Sequence, residues 1–257
     1  MTANAPIESG TVDVTIEHGI ATVTFGHPKS NSLPGALLRE LARTFDALAS
    51  NAMCRVVVLQ SMGGATFCAG ASFDELVAIS SEEEGKTFFS GFAHLILAMR
   101  RCPKFVVAKV QGKAAGGGVG MIAAADYAIA VPKAAVRLSE LAIGIGPFVV
   151  GPVVERRVGH GPFAAMTVDA DWRDAAWALR HGLYAQVVDT PVALDTVVSN
   201  FAARLASNNP EAMRLLKSNF WEGTESWDAL LFERAAMSGR LVLSDYTRTA
   251  IRNFGKS

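Results

Sequence analysis

The sequence predicts an α/β fold, with strand–helix units in the first three quarters of the chain and a purely helical segment after them. Three observations carry that prediction. Short runs rich in Val, Ile and Phe alternate with segments whose apolar residues recur at helical spacing. Beyond residue 195 the alternation stops, and the remaining segments are all helical in spacing. Half of the residues are hydrophobic, and 257 residues suffice for one large domain with a sizeable core. The organisation expected is a core over residues 1–194 and a helical region over residues 195–257.

Residues 1–10 read as a loose tail. Val12–Ile16 alternates as a strand does, His18-Gly19 is a turn and Ile20–Phe25 a second strand, so the chain enters through a β-hairpin. His27–Ser32 is a polar loop containing Pro28. Leu33–Ser50 carries Leu37, Leu38, Leu41, Phe45 and Leu48 on one helical face. Val56–Gln60 is a short apolar strand, followed by the small-residue stretch Ser61–Leu76. Ser81–Lys86 is charged, and Phe88–Met99 resumes a helical pattern. Phe105–Val110 is a strand that leads into Gly112–Asp126. Ala128–Val131 and Ala135–Leu138 are short strand candidates, and Ser139-Glu140-Leu141 opens a turn or helix. Trp172–Arg180 reads as a helix and Ala185–Val188 as a strand. Ala193–Ala206, Pro210–Trp221, Trp227–Leu243 and Asp245–Phe254 then follow as helices.

The bulk numbers exclude several classes. Lys+Arg and Asp+Glu both total 24, so no net charge draws the protein to nucleic acid or to a membrane surface. Cys54, Cys68 and Cys102 fit neither a paired disulfide framework nor a zinc spacing, and read as small buried hydrophobes in a reducing compartment. No metal site is expected. The N-terminus lacks a basic region followed by an apolar one, and no run of about 18 apolar residues appears. A soluble cytoplasmic protein is the expectation.

The chemistry is concentrated in Gly112–Asp126. A strand-like run precedes it, an alanine-rich run ends it, and Gly116, Gly117 and Gly118 lie between. Glycines there allow positive φ and close approach of a ligand. A helix that starts just after them aims unpaired N–H groups at whatever lies in front, a place for an oxygen that gains negative charge. A tight turn without chemistry would use the same residues.

Two segments together carry a family resemblance. Phe67-Cys68-Ala69-Gly70-Ala71-Ser72-Phe73-Asp74-Glu75-Leu76 resembles F-C-A-G-A-D-L-x-E-L, and Gly112–Ala130 resembles G-x-A-x-G-G-G-x-E-L-A-x-A-C-D-x-x-x-A. Both are motifs of the crotonase superfamily, the enoyl-CoA hydratase/isomerase group. Ser139–Gly144, Arg156–Gly159, Ala175–Val188 and Ile251–Phe254 resemble its later motifs. The resemblance implies a crotonase-like spiral of ββα repeats whose helical C-terminal region builds a homotrimer or a dimer of trimers. It implies an acyl-CoA substrate, with coenzyme A entering as part of that substrate and no separate cofactor. It maps the two backbone N–H groups that polarise the thioester carbonyl to Ala71 and Gly117. Ala69 falls where the family's backbone meets the adenine, and Gly70, Gly116, Gly120 and Phe148 fall in the substrate site.

This sequence also departs from the motif. Hydratases of the family place one glutamate after the glycines and a second further on, and the pair holds a water. Gly120 stands at the first position, and Glu140 alone remains. The backbone group that helps to place the water aligns with Phe148, where the family's dehalogenases carry a nucleophilic Asp. Ile145–Val150 makes the site apolar, which raises the pKa of a lone carboxyl and suits a residue that takes a proton and returns it elsewhere. Isomerase chemistry is therefore favoured over hydration, and a non-catalytic acyl-CoA-binding role is the third reading. Glu155 and His94 are candidates for a second acid/base, although Glu155 reads first as a surface partner of Arg156 or Arg157 and His94 as a helix-face residue beside Phe92. Phe88, Phe89, Phe92 and Met99 are candidates for an acyl pocket. Asp74 stands where family members often carry a basic residue near the phosphates, with Lys29 or Lys113 as compensating cations. Gly118–Ala123 formally fits a dinucleotide fingerprint, but Gln111–Gly117 separates it from its strand.

Overall fold

The computed structural model describes residues 10–254. Strands β1 (Thr11–Glu17) and β2 (Ile20–Gly26) form the expected hairpin, and His18 and Gly19 in its turn both take positive φ, as a primed two-residue turn requires. Helix α1 (Gly35–Ser50) follows. It starts two residues later than its periodicity predicts, because Leu33 pairs with Ala71 and Pro34 is extended. The Glu75 carboxylate, in the first turn of a later helix, accepts from the Gly35 N–H at 2.6 Å and so caps this helix from a distant part of the chain.

From there the chain winds in ββα turns. Strands β3 (Val56–Ser61) and β4 (Thr66–Cys68) lead to helices α2 (Phe73–Ala78) and α3 (Glu82–Arg101). Strands β5 (Phe105–Val110) and β6 (Lys113–Ala115) lead to helix α4 (Gly117–Ala124). Strands β7 (Tyr127–Ala130) and β8 (Val136–Arg137) lead to a 3-10 turn, Leu141–Ile143, and helix α5 (Gly151–Val158). Helices α6 (His160–Val168) and α7 (Ala175–Arg180) and strand β9 (Gln186–Val187) complete this part. From β3 onward, odd and even strands go to different sheets. One has six strands in the order β1-β2-β3-β5-β7-β9, parallel except for the hairpin; the other is the parallel sheet β4-β6-β8. Strand β3 is buried almost along its whole length, as a parallel strand covered on both faces must be.

Several elements differ from the sequence expectation. The charged run Ser81–Lys86 is the opening of α3: Ser81 Oγ accepts from the Glu84 N–H at 3.2 Å, and Glu82, Glu83 and Glu84 sit at the positive end of the helix dipole. The predicted helix over Trp172–Arg180 begins only at Ala175, because Arg173 exchanges backbone hydrogen bonds with Val136 and Asp174 is the N-cap. Helices α5 and α6 and the three short strands of the smaller sheet have too few residues to show a period. Cys54, Cys68 and Cys102 are free and buried, as expected.

Four helices end the chain: α8 (Pro191–Ala206), α9 (Pro210–Phe220), α10 (Trp227–Leu241) and α11 (Asp245–Phe254). They pack back on the core. In α8, Phe201 lies against Tyr127 with ring centroids 4.4 Å apart. Helix α10 crosses α3 where Gly85 meets Gly239, so closely that a Cβ on Gly85 would lie 2.7 Å from Gly239 Cα. Lys217 of α9 is buried, paired with Asp126 at 2.8 Å, and donates to the Lys104 carbonyl at 2.8 Å. No helix among the described residues is long and apolar enough to cross a membrane.

Candidate active site

The site is built by the smaller sheet. Its three strands are parallel, so their C-terminal ends share one edge. Within three residues of those ends lie Ala71 after β4, Gly117 after β6 and Glu140 after β8. The order of strands puts the glycines in the middle. On one side, a Cβ on Gly70 would stand 3.0 Å from the Ala115 carbonyl and 3.8 Å from the Gly117 nitrogen. On the other, a Cβ on Gly116 would stand 3.0 Å from Glu140 Oε1. Gly70 and Gly116 have φ of +92° and +50°, conformations that glycine alone adopts without strain.

A cavity of about 440 Å³ opens at this edge. Ala69, Gly70, Ala71, Gly116, Gly117, Glu140 and Phe148 all line it. Leu33 bonds the peptides on both sides of Ala71, donating to the Gly70 carbonyl at 2.8 Å and accepting from the Ser72 N–H at 3.2 Å. In a parallel bridge of this kind the N–H of Ala71 itself points away from Leu33. Gly117 opens α4, so its N–H has no partner within the helix. Both amides are therefore available to an oxygen in the cavity.

Among the described residues, Glu140 is the one acidic residue on the cavity wall. Burial pushes its carboxyl up to about 7, against the opposing pull of the Glu140 and Ser139 backbone N–H groups and the Arg137 guanidinium. Its Oε2 is buried with no hydrogen-bond partner. Most of the remaining wall is apolar, including Phe89, Phe92, Ile143, Ile145, Val149 and Val150, with Lys29 and a few serines as its other polar members. Of the four candidates for an acyl pocket, Phe89 and Phe92 reach the cavity. Phe88 packs edge-on against both, and Met99 is buried away from it.

Gly120 does not reach the cavity. It is buried under Val150, whose Cγ1 would lie 2.6 Å from a Cβ placed on Gly120. The two candidate second acids are elsewhere. Glu155 pairs with His160 at 2.7 Å, and not with Arg156 or Arg157. Arg156 instead holds the Phe220 and Glu222 carbonyls, and Arg157 the carbonyls at the end of α4. His94 packs edge-on against Phe232, with ring centroids 4.9 Å apart, beside a separate cavity. Lys113 lies over the Trp172 ring, whereas Lys29 lines the main cavity and pairs with Asp74. Among the described residues no cluster of acidic, His or Cys side chains could hold a metal ion.

Residues 15–245 match the Enoyl-CoA hydratase/isomerase family. The chain belongs to that family, within the crotonase superfamily. As a family member it is 30% identical over 234 residues to a short-chain-enoyl-CoA hydratase of Clostridium acetobutylicum, covering 90% of this chain and 89% of the other. It is 27% identical over 211 residues to the human mitochondrial Delta(3,5)-Delta(2,4)-dienoyl-CoA isomerase, covering 74% and 62%. Among solved structures, an enoyl-CoA hydratase from Mycobacterium avium subsp. paratuberculosis superposes with a TM-score of 0.85 at 27% identity, covering 98% of this chain and 97% of that one. The family's spiral of ββα turns with a helical C-terminal region is the architecture described above.

The three short strands matter because their C-terminal ends meet at the cavity. They carry little sequence signal, yet they set Ala71, Gly117 and Glu140 side by side. For β4 and β6 the signal was the pair of glycine motifs, whereas β8 lies inside the Ala135–Leu138 run expected as a strand. The position of Val150 had no such signal, because it approaches Gly120 from a different turn of the spiral.

Proposed function

We propose that this protein shifts a proton on an enoyl-CoA thioester, with Glu140 as its single acid/base and the Ala71 and Gly117 amides as the oxyanion hole. The observation that carries this reading is the Glu140 carboxyl, which faces an apolar cavity with one oxygen unpartnered and no second carboxyl on the wall. In the proposed reaction Glu140 takes a proton from C2 of a 3-enoyl-CoA. The thioester oxygen gains the charge and is held by the two amides as the dienolate forms. Glu140 then gives the proton to C4, and the double bond lies between C2 and C3. A base poised near neutrality suits both steps. Removal of one oxyanion donor typically costs about 10²–10³ in rate. Ala69 is assigned to the adenine, and Gly70, Gly116 and Phe148 to the walls of the thioester channel. Helices α8–α11 are assigned to assembly of a trimer or a dimer of trimers; Leu215, Leu216, Phe220 and Met237 are exposed apolar residues on them.

Hydration of a 2-enoyl-CoA is the second reading, favoured by the identity to the Clostridium acetobutylicum hydratase. The test is Glu140→Gln assayed on 3-enoyl and 2-enoyl thioesters. Loss of 3-enoyl turnover with thioester binding kept is expected; retained turnover would remove Glu140 from the mechanism. Wild-type water addition that outpaces isomerisation would favour the second reading.

A further inference from the structure

The mouth of the Glu140 cavity carries an ion pair whose acidic member is out of place for a polyanionic ligand. Lys29 and Glu140 are the charged residues on the cavity wall, and Glu140 lies at its inner end against Gly116. Lys29 is thus the cation that a ligand's phosphates would meet at this cavity. Its Nζ is engaged by Asp74 Oδ2, and both side chains are open to solvent, at 62% and 40% exposure. Asp74 is fixed at that spot. It sits in the first turn of α2, where Ser72 Oγ accepts from the Glu75 N–H at 3.4 Å and Glu75 in turn anchors to the Gly35 N–H. An acidic side chain is also favoured there by the helix N-terminus.

Resting on the acyl-CoA reading above, we propose that Asp74 is a specificity-determining residue that sets how much the nucleotide end of the thioester contributes to binding. The phosphates of coenzyme A must displace Asp74 from Lys29 or accept a carboxylate beside them. The uncharged pantetheine arm meets no such competition on its way to Ala71 and Gly117. Wild-type protein therefore recognises its ligand mainly through the pantetheine thioester, and little through the 3′-phospho-ADP group. An exposed ion pair contributes little to stability, so it can be displaced, and its effect on a charged ligand falls with salt.

The test compares the affinity of a saturated acyl-CoA with that of the matching acyl-pantetheine by calorimetry, at low and high salt. The variants are Asp74→Asn, Asp74→Lys and Lys29→Ala. In Asp74→Asn the ratio of acyl-CoA to acyl-pantetheine affinity should rise about 3–10-fold at low salt, with less gain at high salt. Asp74→Lys should raise the ratio further, and Lys29→Ala should lower it. A ratio unchanged across all three variants, with both thioesters bound, would overturn the role of Asp74 and leave the acyl-CoA reading intact. Failure of the wild-type protein to bind either thioester would overturn both.

Discussion

Val150 occupies the space that a side chain on Gly120 would need: its Cγ1 lies 2.6 Å, and its Cβ 2.8 Å, from the position of a Cβ on that glycine. The two residues come from different turns of the spiral, Gly120 inside α4 and Val150 at the N-cap of α5. The contact makes the one-carboxylate site a packed arrangement. It is more than a missing acid, because the glutamate cannot be restored by changing one residue.

Gly120→Glu alone should destabilise the protein by overpacking, at a cost of about 1–3 kcal/mol, and should not produce hydration. Gly120→Glu combined with Val150→Gly frees the space. The double variant should recover part of the lost stability and acquire measurable water addition to a 2-enoyl-CoA. Thermal melts and assays of both reactions check this. Hydration by the single variant would show that Val150 is not the obstacle.

The buried Glu140 carboxyl ties stability to pH. Its value rises from 4.5 to about 7 in the folded state, so between those two pH values the folded protein binds more protons than the unfolded chain. Stability from the neutral carboxyl is complete below pH 4.5 and is lost as pH rises through about 7. Glu140→Gln removes this dependence. At pH 8 the variant should be the more stable protein, by roughly 3 kcal/mol at most, and the difference should shrink toward acid pH. Activity has the opposite slope, since only the carboxylate takes a proton: kcat/KM should rise through about pH 7. Denaturant melts and pH–rate profiles test the two statements separately.

Thr247 is the residue through which α11 holds the Glu140 loop. It is fully buried, its hydroxyl donates to the Gly144 carbonyl at 3.1 Å, and Ser244 Oγ lies 3.0 Å from the same hydroxyl. Gly144 takes positive φ and ends the 3-10 turn that begins after Glu140, and the Ile145 N–H bonds the Glu140 carbonyl at 3.0 Å. Thr247→Val should cost about 1–3 kcal/mol by leaving the carbonyl unpaired. It should also displace the acidic limb of the pH–rate profile, which a purely structural role would leave in place. Thr247→Ser keeps the hydroxyl and should restore both.

The larger sheet and the long helices were legible in the sequence because each is long enough to show its own period. Ile20–Phe25 alternates, Val56–Gln60 and Phe105–Val110 are nearly unbroken apolar segments, and α1 repeats its leucines along one face. The charged run Ser81–Lys86 carries no element assignment from sequence alone, because the acidic residues that a helix N-terminus attracts interrupt the apolar period that marks the rest of α3. Strands of two or three residues cannot display alternation, so β4 and β6 had to come from the fold, and of the smaller sheet only β8 was expected, as Ala135–Leu138.

By itself the sequence determined the chemistry on offer: two glycine motifs placed to present backbone amides, and one glutamate with no partner glutamate. Local residue type decides backbone conformation, and both motifs are local. Only the tertiary structure decided that β4, β6 and β8 end at one edge, which sets Gly116 against Glu140 and Ala71 beside Gly117's helix. It alone decided that Val150 fills the space a side chain on Gly120 would need and that Asp74 holds Lys29 at the cavity mouth. These are contacts between turns of the spiral, and their distances are set by how parallel strands stack, a quantity that no local pattern encodes.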